Sequence, residues 1–259
     1  TGFGYRWPFL MFALTMGLAT LLIWRFVPQP DADLDEQRLT PRRFLRKYRT
    51  LLHGSDVVAA VGAYFLMFCG FGLFTSFLPT WLETTVGVSS YGIALLFAIG
   101  GSANVLASPL AGRISDDLGR KPLVVGSSLA LGVFSAVAPL VIVGFTSAAT
   151  LFFLAMIAVG IRISPLQSLL TALVPDRARG LLMGLAVSVG QAGFGIGSFF
   201  ASATYGAYGY ASNAVAGAAA TVFMAGLVHW GLPEPSPDAP DGDASAPSPE
   251  SARSVAETP

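Results

Sequence analysis

The chain has 259 residues, of which 53% are apolar and only 12% are charged, and its mean hydropathy is +0.64. Because an ordinary soluble domain carries roughly 25% charged residues, this composition excludes a soluble globular domain and indicates a membrane protein. The net charge is zero and points to no partner, and the single Cys69 excludes a disulfide within the chain.

Seven stretches are long and apolar enough to cross a bilayer, which takes about 20 mainly apolar residues in a helix. In chain order they run approximately 7–27, 56–82, 88–112, 122–144, 148–174, 181–205 and 208–232. Short connections favour antiparallel neighbours. The sequence therefore predicts an all-α polytopic membrane protein: a first helix over 1–27, a loop over 28–55, a six-helix bundle over 56–232 and a tail over 233–259.

The loop over 28–55 has two parts. Residues 28–37 are acidic and contain proline, which predicts a flexible linker. From Thr40 onward, apolar residues recur at helical spacing opposite a basic face, which predicts an amphipathic helix on the inner leaflet; a helix-binding partner is the alternative. The tail carries six acidic residues against Arg253 alone and is too polar to fold.

Connections that contain basic residues alternate along the chain with connections that contain none, as the positive-inside rule requires. Seven of them fall between residues 25 and 49 and three between 113 and 121, two more lie at 177 and 179, and the intervening connections contain none. We therefore expect the first span to run inward and the C-terminus to be cytoplasmic, in a multi-pass protein of the cell membrane.

The densest charge between two spans lies in Gly112-x-x-x-Asp116-x-x-Gly119-Arg120-Lys121. This motif resembles the loop signature of the major facilitator superfamily of secondary transporters, in the copy that joins the second and third helices of a six-helix half. The resemblance implies a gating role for the motif residues, namely Gly112, Arg113, Asp116, Gly119, Arg120 and Lys121.

In that family the aspartate docks at a helix N-terminus of the opposite half, where unpaired N–H groups attract a carboxylate. Asp117 departs from the basic residue that is usual at its place. The alternative interpretation is an ordinary charged cytoplasmic turn.

The first span and its long basic connection resemble the sixth helix and central loop of a facilitator, and the next six spans resemble its second half. The resemblance covers about 1–232. It implies an all-α C-terminal portion whose partners are a small-molecule substrate, the bilayer and helices one to five, which lie outside this sequence.

Arg162 lies near the middle of its span, where insertion scales charge roughly 2.5–3.5 kcal/mol for an arginine. It should therefore face the bundle interior, close to a helix break at Pro165. Three roles remain open: contact with an anionic group of a substrate or with a gate, pairing with a carboxylate of the other half, or bonds to carbonyls freed by Pro165. The segment, including Gln167, resembles the tenth helix of efflux-type facilitators.

Other candidates for substrate contact are Asn104, Gln191, Tyr64 and Phe68. Amides in membrane helices more often form hydrogen bonds to neighbouring helices, and rows of aromatic residues more often belong to the core. Helix contact and core packing are therefore the alternatives to substrate contact for these residues. No Asp, Glu or His lies deep in a predicted span, so a proton-coupling group would have to lie elsewhere.

The sequence predicts no enzyme, cofactor or metal site, because His53 and His229 are isolated and no nucleophile has a base at usable spacing. The basic stretch is amphipathic and adjoins a membrane helix, which argues against nucleic acid. We expect part of a transporter that works by alternating access and exports drug-like or amphipathic compounds. The alternatives are uptake of a small organic anion or metabolite and, in a different class, a non-transporting membrane scaffold.

Overall fold

A computed structural model describes residues 6–27, 48–49 and 51–233, together with most of their side chains. These ranges contain seven helical spans long and apolar enough to cross a membrane, which confirms the seven predicted spans. The elements are α1 (Arg6–Phe26), α2 (Ser55–Thr75), α3 (Leu78–Thr84), α4 (Ser90–Leu118), α5 (Arg120–Val141), α6 (Phe145–Ala172), α7 (Asp176–Tyr208) and α8 (Tyr210–Gly231).

The chain divides into two compact units, residues 1–44 and 45–259. The first contains α1, and the second contains the bundle formed by α2 to α8. The expected linker at 28–37 and the expected tail beyond 233 lie outside the described residues. So does most of the expected amphipathic helix, although its last turn is present, where the amide of Leu52 donates to the carbonyl of Tyr48 at 2.9 Å.

Two predicted boundaries need correction. The second span is divided, because α2 ends at Thr75 and α3 begins at Leu78, with a proline in its first turn. The charged segment expected as a loop over 112–121 is helical as far as Leu118, and the turn is the single residue Gly119, whose φ is 91°. Polar residues beyond the hydrocarbon core continue a helix that hydropathy no longer detects, and glycine, which adopts positive φ without steric penalty, ends it.

The bundle contains two matching sets of three helices. Helix α2 packs most extensively on α7 and α8, and helix α6 packs most extensively on α4 and α5. Helix α5 also packs on α8. If α2, α4 and α5 are matched with α6, α7 and α8, the contacts of α2 map onto those of α6, and the contact between α5 and α8 maps onto itself. Internal repeats of this kind are typical of secondary transporters, and they place α2 and α6 at equivalent positions.

Glycines allow the closest helix contacts of both sets. A Cβ atom on Gly197 of α7 would overlap the backbone carbonyl of Cys69 on α2. A Cβ atom on Gly160 of α6 would lie 2.8 Å from the carbonyl oxygen of Asn104 on α4. Small residues are what membrane helices use to bring their backbones together in lipid, so these two crossings hold the first helix of each set in place.

Two apolar clusters fill the bundle, one toward each end. The first surrounds Trp81, Phe152 and Tyr210, and the second surrounds Leu166 and Met224. A cavity of about 10 Å³ within the first cluster has an apolar lining. It has room for about one water molecule and offers a ligand no polar group.

Candidate functional site

Helix α6 presents two chemically different faces. Arg162 points into the bundle and is 2% exposed, whereas Ser164 and Gln167 are exposed. Because successive residues of an α-helix are about 100° apart, Ser164 lies roughly 200° around the helix from Arg162. The uncharged polar side chains therefore face outward from the bundle, and the charged one faces inward.

Arg162 is surrounded by the interior of the bundle. One Nη atom donates to the sulfur of Met224 on α8 at 3.9 Å, and the hydroxyl of Ser128 on α5 donates to the same sulfur at 3.7 Å. The buried Nε atom has no hydrogen-bond partner in the described part of the chain. The helix continues unbroken through Pro165, which corrects the expected helix break, and the described hydrogen bonds do not join Arg162 to its neighbouring carbonyls.

Three of the predicted contact residues come together on α2 and α6. The side chains of Tyr64 and Gln167 are neighbours, and the rings of Tyr64 and Phe68 lie 6.1 Å apart between centroids. The ring of Phe68 covers Gly190 of α7, where a Cβ atom would lie 2.8 Å from Phe68 Cδ2. The next residue, Gln191, is exposed. We call Gln167, Gln191 and Phe68, together with Tyr64, which is itself buried, the lining surface.

Asn104 lies apart from the lining surface. Its side-chain amide donates to the backbone carbonyl of Met156 on α6 at 3.5 Å, and its backbone carbonyl oxygen accepts a hydrogen bond from the hydroxyl of Ser108 at 2.9 Å. Both bonds are of the kind that joins or stiffens helices, so the described contacts of Asn104 are those of a residue at a helix interface.

The loop motif occupies the end of α4 and the start of α5. The ammonium group of Lys121 donates to the carbonyl of Leu232, just past the end of α8, at 2.8 Å. Arg113 is exposed and Arg120 is half-buried. A Cβ atom on Gly112 would meet no atom within 4 Å, so the described chain makes no close approach there. The side chain of Asp116 lies outside the described part, and its docking remains a prediction.

An aromatic group that the sequence analysis missed closes the opposite end of the bundle. Trp81 on α3 stacks on Tyr210 at 4.5 Å between ring centroids, and the hydroxyl of Tyr210 donates to the carbonyl of Phe74 at 2.8 Å. Phe77 stacks on Tyr205 at 4.9 Å. The only sequence signal was Pro79, since proline favours the first turn of a helix and hence a break just before α3.

The described residues contain no group of three or more His, Cys, Asp or Glu side chains that could hold a metal ion. Away from the helix ends, the exposed polar side chains of the described spans are uncharged amides and hydroxyls. Such groups can orient a small molecule by hydrogen bonds and ring contacts.

Residues 1–105 and 60–257 each match the Major Facilitator Superfamily. The chain belongs to this superfamily. Its fold is therefore that of a multi-pass helical transporter, and the family resemblance inferred from the motif at 112–121 is confirmed. The match does not distinguish export from uptake.

The ectoine/proline transporter ProP of Corynebacterium glutamicum is similar to this chain, with 28% identity over 212 residues. The alignment covers 74% of this facilitator chain and 41% of ProP. The chain thus spans less than half the length of this relative.

Proposed function

We propose that the full-length protein is a secondary active transporter that moves a small solute across the cell membrane by alternating access. Membership of the superfamily supports transport, and the lining surface supports a place for the solute. In this proposal the lipid bilayer and the helices of an N-terminal half are the partners of the bundle.

The observation that carries the proposal is the polarity of the exposed face of α6. Gln167 and Ser164 are exposed in the C-terminal half of a membrane span, and Thr171 is half-buried on the same face. A polar side chain that faces lipid loses its hydrogen bonds to water, so such faces generally line a water-filled path or another helix. We therefore assign exposed Gln167 and Gln191 and half-buried Phe68 to a solute path, with buried Tyr64 positioning Gln167 rather than contacting the solute.

The preferred substrate is a small polar solute taken into the cell. Proline and ectoine, the solutes named for the relative, are small molecules that carry both a carboxylate and a positively charged nitrogen. The lining surface offers the exposed amides of Gln167 and Gln191 for hydrogen bonds, and the face of half-buried Phe68 can contact a cationic nitrogen. This supports uptake of a metabolite, which was the alternative in the sequence analysis.

Export of amphipathic compounds is the second candidate. Half-buried Phe68 and Phe71 follow one another along α2, and the rings of Phe71 and Phe194 are 6.2 Å apart. A row of aromatic rings suits a large apolar solute as well as a small cationic one. This row also agrees with the resemblance of the segment around Pro165 to efflux-type facilitators.

The orientation follows from the charges. We propose that the turn at Gly119, with Arg120 and Lys121, faces the cytoplasm and that the C-terminus leaves the bundle on the same side. In this arrangement Asp116 is placed to dock on a helix N-terminus of the other half and to hold the cytoplasmic side closed.

The test is transport by the purified full-length protein in liposomes. Under an imposed proton or sodium gradient we expect saturable uptake of radiolabelled proline or ectoine. We expect Gln167→Ala to reduce it by about tenfold, as for loss of one good hydrogen bond to a bound solute. Thr150→Ala, at the opposite end of α6 and exposed, is the matched control. Gradient-driven export of ethidium without proline or ectoine uptake would favour the second candidate. Absence of flux for both classes of solute would contradict the proposed path.

A further inference from the structure

Arg162 stands alone as a charge in the interior of the described spans. All other Asp, Glu, Lys and Arg residues in those spans lie within two turns of a helix end. Among the described side chains no carboxylate is within ion-pair distance of Arg162. The ion pair that these side chains do form joins Arg179 to Asp176 on the surface. The guanidinium is thus a buried cation that the described residues leave uncompensated.

The position of Arg162 separates its charge from the exposed side chain of Gln167 by the thickness of α6. Its side chain contacts Met224 behind the helix, whereas Gln167 is exposed in front of it. A direct bond to a solute on the exposed face is therefore absent from this arrangement. A carboxylate of another half would face the same obstacle, since the guanidinium is 2% exposed.

A charge without a counter-ion acts at long range where the surroundings are apolar. The exposed face lies about one helix diameter, ~10 Å, from the guanidinium. At an effective dielectric constant of ~20, a unit charge at that distance changes the local concentration of a singly charged solute by on the order of tenfold. Salt screens such a buried charge less than an exposed one.

We propose that Arg162 sets the charge preference of the solute path by its electric field, from behind the lining surface and without touching the solute. The inference rests on the proposed path along α6. It assigns Arg162 as a specificity-determining residue that favours solutes presenting a negative group to α6, such as the carboxylate of an amino acid, and that disfavours cations.

The field can be measured without knowing the substrate, by placing a cysteine at Gln167 of the full-length protein in a Cys69→Ser background. The rates of thiol modification are compared for an anionic reagent (sulfonatoethyl methanethiosulfonate), a cationic one (trimethylammonioethyl methanethiosulfonate) and a neutral one (methyl methanethiosulfonate). The neutral rate corrects for accessibility and for the reactivity of the thiol.

We expect Arg162→Met to lower the ratio of the anionic to the cationic rate by on the order of a hundredfold, since the field acts about tenfold on each reagent and in opposite directions, and Arg162→Lys to keep the ratio. Arg179→Met, which removes an exposed charge of the same sign, is the control and should change the ratio little. Arg162→Gln serves as a second neutral variant if Arg162→Met does not yield folded protein.

An unchanged ratio in a folded neutral variant would overturn this inference and leave the path intact. A cysteine at position 167 that fails to react even with the neutral reagent would instead overturn the path, and the inference with it. The two failures are therefore distinguishable in one set of measurements.

Discussion

Replacing Gly197 by alanine should loosen the contact between α7 and α2. The new Cβ would lie 3.0 Å from both the carbonyl carbon and the Cα of Cys69, and closer to its oxygen, whereas ordinary contacts begin near 3.4 Å. These are backbone atoms that cannot rotate away. The two helices must therefore separate by more than about 0.4 Å, and overpacking of this kind costs ~1–3 kcal/mol.

Alanine also favours the helix by up to ~1 kcal/mol relative to glycine, so the net loss expected for Gly197→Ala is about 1–2 kcal/mol. Gly195, two residues earlier, provides the control, because a Cβ there would meet no atom within 4 Å. Gly195→Ala should leave stability unchanged or raise it slightly. Equilibrium unfolding in mixed micelles of mild detergent and dodecyl sulfate measures both. If Gly197→Ala were as stable as Gly195→Ala, the close crossing would be wrong.

Two further contacts give predictions with matched controls. Tyr210→Phe removes the hydroxyl bonded to the Phe74 carbonyl and should lower stability by ~1 kcal/mol, while Tyr208→Phe, 78% exposed, should not; equal losses would contradict the bond. Lys121→Met removes the ammonium that caps α8 and should speed amide hydrogen exchange in its last turn by a few-fold, with ~0.3–1 kcal/mol lost. Arg120→Met should leave exchange in that turn unchanged, and the same protection in both variants would refute the capping role.

Hydropathy was enough to predict the spans, because crossing a bilayer requires about 20 apolar residues whatever the tertiary structure. It could not place the ends. Residues 113–118 are polar enough to leave the hydrocarbon core and still continue α4 to Gly119. Nor could it detect the division between Thr75 and Leu78, since Ser55–Thr84 counts as one span by length and composition.

The sequence predicted that Arg162 faces the bundle, and the structure agrees. It could not predict which neighbours surround the guanidinium, because Met224 and Ser128 are 62 and 34 residues away along the chain and meet it only through packing of three helices. The pairing of Tyr64 with Gln167 likewise depends on how α2 sits beside α6. Single-sequence periodicity gives the face of a helix and not its partner.

Gly119 and Gly209 have a consequence for movement within the bundle. Each is the sole residue between two long helices, α4 and α5 or α7 and α8, and their φ values are 91° and 74°. These two turns are at corresponding places in the two sets of three helices and at opposite ends of the bundle. A one-residue connection restricts movement of the two helices relative to each other, so a tilt of one helix also tilts the next. Each pair should therefore move as a unit, so that a tilt which opens one end of the bundle displaces both helices of the pair.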